Sequence, residues 1–266
     1  SILQRLPKLT KSETLMSRWP AFSLILLAVL PQWFGSVVNI LYNSIWIVSH
    51  LTPSQSEVFH QFVVLYNAVV YPICFGVLVY MLLPLRELKS LKDPERVAQL
   101  RKHVLKYPYY LFVICTLGWM PGSILIPLGL DVLAGPIAKS VYGHFFVSFL
   151  ISWIAALSYS MLWVKGISVR NLYPRLWLGE SAVAQTAKRE LKPFLVTSSW
   201  LQLGLSATPL VAAILFIWRN VGSVEPSQLQ RFNLLVTVLL GLGISGVYFS
   251  LNSIQKIRDS VRTWTS

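Results

Sequence analysis

Residues 86–106 read RELKSLKDPERVAQLRKHVLK, and they join two apolar runs, 57–85 and 108–134. A helix needs about 20 apolar residues to cross the hydrocarbon core of a bilayer, so each flanking run is long enough to be a membrane span. Seven Lys and Arg residues crowd the segment between them. The same alternation extends along the chain, with apolar runs at 20–49, 57–85, 108–134, 140–164, 193–218 and 232–253. If each run crosses the membrane, residues 1–19, 86–106, 165–192 and the tail share one side, and 20 of the 23 Lys and Arg residues lie there. The other side keeps only Lys139, Arg219 and Arg231. Basic loops stay in the cytoplasm, so both termini are expected to face it. The expected fold is all-α: a polytopic membrane bundle of six helices. A basic leader (1–19) precedes the transmembrane domain (20–253), and a helical tail (254–266) follows it.

Composition narrows the class. In 266 residues, 55% are apolar and only 12% charged, which excludes a pair of soluble domains. A net charge of +13 would suggest nucleic acid in a soluble protein. With the basic residues gathered in loops, the expected partner is instead the anionic headgroup layer of a bilayer, with no nucleic acid. Cys74 and Cys115 each lie inside an apolar run, where they read as small packing residues, with no disulfide framework and no zinc site. The first apolar run is too long for the core of a signal peptide.

Several local signals shape the spans. Pro31 should bend the first. In the basic loop, Asp93 is an expected N-cap and Pro94 the first helical position, with Val97, Leu100 and Val104 on one apolar face. These predict a short helix lying on the membrane surface. The third span should break at Trp119-Met120-Pro121-Gly122 and again at Pro127. The fourth carries Ser140, His144, Ser148, Ser152, Ala156 and Ser160 at intervals of four, a row suited to close helix crossing. A further cytoplasmic helix is expected over 180–190, acidic at Glu180 and basic at Lys188 and Arg189. The sixth span offers Gly241, Gly243, Ser245 and Gly246 for packing. Beyond it, Ile254, Ile257, Val261 and Trp264 form a seam on which a homodimer partner or a cytoplasmic effector could dock.

Catalytic signatures are missing from the sequence: no HExxH, no phosphate loop, no GxSxG and no CxxC. The expectation is a protein without catalysis of its own, without cofactor and without metal. Asp131 and His144 flank a short hairpin on the side poor in basic residues. They read either as an outward-facing proton or ligand sensor or, given their nearness to the interface, as headgroup-level residues in water. His50 and His60 border a loop, which argues against haem or metal ligation. Asn39, Asn43 and Asn67, with Tyr42 and Tyr66, form the strongest intramembrane polar cluster. Such amides can bind a ligand or line a path, but they more often bridge helices.

One set of short motifs resembles a known family. It comprises Tyr42-Asn43, Tyr66-Asn67 with Tyr71-Pro72, Pro84-Leu85-Arg86, Gly118-Trp119-Met120-Pro121-Gly122, and Val169-Arg170 with Leu172-Tyr173-Pro174-Arg175-Leu176. Over about residues 20–255 this resembles the six-helix membrane input domains of bacterial multidomain receptors. Those domains precede a HAMP segment and a class III adenylate cyclase, or accompany a Ser/Thr protein kinase. The resemblance implies a sensory module of the bacterial inner membrane that passes a signal out through its last helix. The chain carries neither effector domain, so it would be a fragment of such a receptor or a stand-alone relative acting through a partner. The alternatives are a small transporter or channel component using the Asn/Tyr cluster, and a structural assembly subunit.

Overall fold

The computed structural model describes residues 20–89, 93–176, 183–220 and 224–265. The leader, Glu180, and the side chains of Val261 and Trp264 lie outside the described residues. Among the described residues every regular element is helical. The described residues form eight α-helices: α1 (Pro20–Val29), α2 (Gln32–Trp46), α3 (Pro53–Leu82), α4 (Pro94–Trp119), α5 (Gly122–Ala134), α6 (Lys139–Ile167), α7 (Val183–Asn220) and α8 (Leu229–Thr265). They make six stretches long and apolar enough to cross a membrane, with α1–α2 and α4–α5 each forming one broken stretch.

The expected break at Pro121 separates α4 from α5, and at Pro31, where a bend was expected, the helix is interrupted between α1 and α2. Pro127 does not break its helix. It lies buried in the second turn of α5, where its missing N–H costs the ladder a single bond. Helix starts follow local chemistry. Thr52 caps α3 with a reciprocal Gln55 bond and Pro53 next in line, and Asp93 Oδ1 accepts from the Glu95 N–H ahead of α4. Gly135, at φ +89°, closes α5 in a conformation that few other residues adopt.

The expected surface helix and the described part of the expected cytoplasmic helix are extensions of spans. Residues 94–107 continue without interruption into the third span, and α7 runs from Val183 through the fifth. The reason lies in phase. Val97, Leu100 and Val104 fall on the same stripe as Tyr107, Leu111 and Cys115, and all six are buried in one cluster with Leu82, Met161 and Leu172. Packing of that continuous stripe overrides Pro108, which sits inside α4.

α6 is the central helix, touching α2, α4, α5 and α7. α7 and α8 pack side by side along their length. The N-terminal halves of α4 and α7 and the C-terminal half of α8 meet at one end of the bundle. There Leu105, Val169, Tyr173, Leu191, Phe194 and Ile257 form a cluster. This is the basic end of the described bundle, where Arg101, Lys102, Lys106, Arg170, Arg175 and Arg258 lie on the segments that meet.

Candidate functional site

The crossing of α2 and α6 sets the geometry of the interior. A Cβ on Gly35 would lie 2.5 Å from the Ser152 carbonyl oxygen and 3.0 Å from Ala156 Cβ, so the two backbones meet with no room for a larger residue. Ser148, Ser152, Ala156 and Ser160 are fully buried along this contact, as a small-residue crossing requires. Ser140, at the far end of the row, is exposed. One turn beyond Gly35, three side chains close a ring of hydrogen bonds. Asn39 Nδ2 donates to Ser148 Oγ (3.0 Å), Ser148 Oγ donates to Asn43 Oδ1 (2.5 Å), and Asn43 Nδ2 donates to Asn39 Oδ1 (2.9 Å). Asn39 and Asn43 therefore bridge helices.

The break at Pro31 is held by a side chain that the sequence reading overlooked. Gln32 Nε2 donates to the Ala28 carbonyl (3.2 Å), which also accepts from Ser160 Oγ (3.0 Å). The same Nε2 lies 3.2 Å from Ser160 Oγ, and Gln32 Oε1 accepts from Trp119 Nε1 (2.8 Å). One amide thus ties the α1–α2 break to α6 and to the end of α4. An amide directly after an intraspan proline was the available signal, because a freed carbonyl in hydrocarbon needs a new donor.

Beside this node α3 stands off from α2, and the gap is a cavity of about 660 Å³ between α2, α3 and α4. Gln32, Ser36 and Asn39 line it from α2, Tyr66, Asn67 and Phe75 from α3, and Cys115, Gly118 and Trp119 from α4 and its end. Tyr66 is anchored, its hydroxyl donating to the Gly118 carbonyl (2.7 Å). Asn67 is not part of the Asn39–Asn43 ring; it is exposed on the cavity wall and has no hydrogen-bond partner among the described residues.

At the end opposite the basic one, Asp131 and His144 each have separate partners. Asp131 Oδ1 accepts from the Ile137 N–H (3.0 Å) and so fixes the hairpin after α5. His144 Nδ1 shares a 3.0 Å hydrogen bond with the Tyr42 hydroxyl, and its ring stacks on Trp46 and on His50, 6.5 and 6.1 Å between centroids. Asp131 thus ties the hairpin, and His144 belongs to an aromatic stack.

Between α6 and α8, the Tyr159 hydroxyl donates to the Leu242 carbonyl (2.8 Å) and lies 2.5 Å from Ser245 Oγ. Gly246 packs so closely on α7 that a Cβ there would meet Ser206 Cβ at 3.3 Å. Gly243 is tighter still, against Leu210. Gly241 is a correction: it faces open space and packs on no neighbour. A second correction concerns the tail. Ile257 is 1% exposed within its own chain, so it is spent internally, and Ile254 is only partly exposed.

The cluster around Ile257 adjoins a buried ion pair, Arg101 Nε to Glu190 Oε2 at 3.0 Å, with the Tyr173 hydroxyl donating to the same oxygen at 3.0 Å. Partners 89 positions apart leave no local trace in a sequence. Lys165, 1% exposed, donates to Ser199 Oγ at 3.1 Å. Among the described residues, no three His, Cys, Asp or Glu side chains converge as metal ligands would. Compared with protein families, with curated proteins and with solved structures, nothing matches this chain.

Proposed function

We propose that the chain is a non-catalytic sensory module of a bacterial inner membrane. Both termini would be cytoplasmic, and the state of its interior would reach a cytoplasmic effector through α8. The observation that carries this reading is the position of α2. Gln32, Ser36 and Asn39 of α2 border the cavity. Val38, Tyr42 and Ile45 of the same helix share one buried cluster with Phe232, Leu235, Val236 and Leu239 of α8. An interior packed like this does not absorb a displacement in soft material, so a shift of α2 by an ångström or two is handed to its neighbours. Beyond the last span α8 continues to Ile257, in contact with α4 and α7 at the basic end. That end would lie against anionic headgroups. The signal must favour one arrangement by differential affinity.

The test is a reporter domain joined after Ser266 in the full chain. Gly246→Ile, which wedges α8 away from Ser206, should change reporter output several-fold with normal membrane levels of protein. Output that stays at the unsubstituted level in this variant and in cavity variants would end the sensory reading. Solute flux in reconstituted vesicles, lost in Asn67→Leu, would replace it with transport.

A further inference from the structure

We propose that the cavity between α2, α3 and α4 is a binding site for a neutral single-chain amphiphile, an alkyl or isoprenoid chain ending in a hydroxyl or carbonyl group, that enters sideways from the bilayer. Access comes first. The walls are three membrane-length stretches, and residues at the rim face outward: Val29 is 40% exposed, Ile40 67% and Phe75 49%. A molecule reaching this cavity comes out of the hydrocarbon phase. A volume of about 660 Å³ is within the range of small-molecule pockets.

The cavity is polarised along its length. α2 and α3 run in opposite directions, so Ser36, Asn39 and Asn67 gather toward the end away from the basic one, while Phe75, Leu78 and Leu111 line the other part. One part is lined by amides and a hydroxyl and the other, apart from the Tyr71 hydroxyl and the Cys74 and Cys115 thiols, by apolar surface, which is the pattern of a head and a tail. Gln32 and Asn39 already have protein partners. Asn67 supplies two N–H donors and a carbonyl acceptor with no partner among the described residues. The oxygen of a bound molecule would complete the hydrogen bonding of this exposed amide. No Asp, Glu, Lys, Arg or His lines the cavity, so nothing there compensates a carboxylate, phosphate or ammonium. The occupant is therefore uncharged.

This assignment rests on the reading of the cavity as the input side, and its test separates the two. The full chain in phospholipid nanodiscs is labelled with a sixteen-carbon alcohol bearing a photoreactive diazirine near the chain end (roughly the length of one bilayer leaflet). Labelling should saturate and concentrate between Val70 and Leu78 and between Leu111 and Gly118. Asn67→Leu should raise half-saturation about fivefold, the value of one net hydrogen bond. Val70→Trp, which fills the space, should abolish saturable labelling, with both variants keeping the parent's thermal unfolding. A carboxylate probe of equal length should label far more weakly. The assignment is overturned if labelling never saturates and spreads over Val132, Leu133 and Trp218, meaning bulk lipid only. It is overturned equally if the carboxylate matches the alcohol, or if Asn67→Leu changes nothing. Saturable labelling with an unresponsive reporter leaves the site standing and removes the sensory role.

Discussion

The fourth and second spans, α6 and α3, are helices of 29 and 30 residues with similar apolar content, and they occupy opposite positions in the molecule. The most apolar stretch of α6 is 78% buried, that of α3 only 11%. Water would have driven both inward. In a bilayer, leaving lipid for protein gains an apolar side chain little, so close packing and hydrogen bonding choose the centre. α6 supplies the small and hydroxyl side chains Ser148, Ser152, Ala156 and Ser160. α3 presents Val64, Val69, Ile73 and Tyr80 outward, each more than half exposed, and holds Asn67 toward the cavity. The helix that is richest in what lipid cannot satisfy sits in the middle. The helix that lipid solvates well stands at the rim, and a ligand site opens beside it.

Glycine pairs give the harshest test of that contrast. Gly35→Leu should force α2 off α6, at a cost of about 3 kcal/mol, the upper part of the range for overpacked interiors. Gly76→Leu, where an added Cβ would meet nothing within 4 Å, should leave thermal unfolding unchanged within about 0.5 kcal/mol. If the two variants unfold alike, α6 is not the centre. At the basic end, Arg101→Met should cost roughly 2 kcal/mol by stripping Glu190 of a charged hydrogen bond, and adding Glu190→Leu should recover most of it. A double variant as unstable as the single one would show that the pair matters for its shape rather than its charge. Smaller again is Ser148→Ala, which opens the Asn39–Asn43 ring and should cost about 1 kcal/mol. Smallest is Asn67→Leu, expected to leave stability within about 0.5 kcal/mol and to act only on ligand binding. Equal losses for Ser148→Ala and Asn67→Leu would erase the distinction between a bridging amide and a waiting one.

The spans and breaks were legible because they are written locally. Run length gave the six apolar stretches, Pro31 and Pro121 gave the breaks, and Asp93-Pro94 gave a helix start. The row at four-residue spacing in α6 pointed to a close crossing, although it did not reveal that Gly35 was the other half. What failed was chosen by tertiary context. The charges of residues 86–106 suggested a separate surface helix, and the continuous stripe from Val97 to Cys115 joined it to the third span. Ile257 looked like a docking seam and was consumed by Leu105, Tyr173 and Phe194. The partners of Asp131 and His144, a hairpin N–H for one and the Tyr42 hydroxyl for the other, left no local trace in the sequence. Asn67 read as a member of a polar cluster because side-chain type does not say which helix stands off from its neighbour.

The central claim is that α2 couples the cavity to the basic end of α8. Spin labels at Lys102→Cys and Arg258→Cys, both exposed, report the distance between α4 and α8 there, in a background with Cys74→Ala and Cys115→Ala. The account predicts that a saturating neutral amphiphile shifts this distance by about 1–2 Å, the scale of helix movements in switching bundles, and that Val70→Trp removes the response. Identical distance distributions with and without the amphiphile, in a protein shown to bind it, would contradict the account.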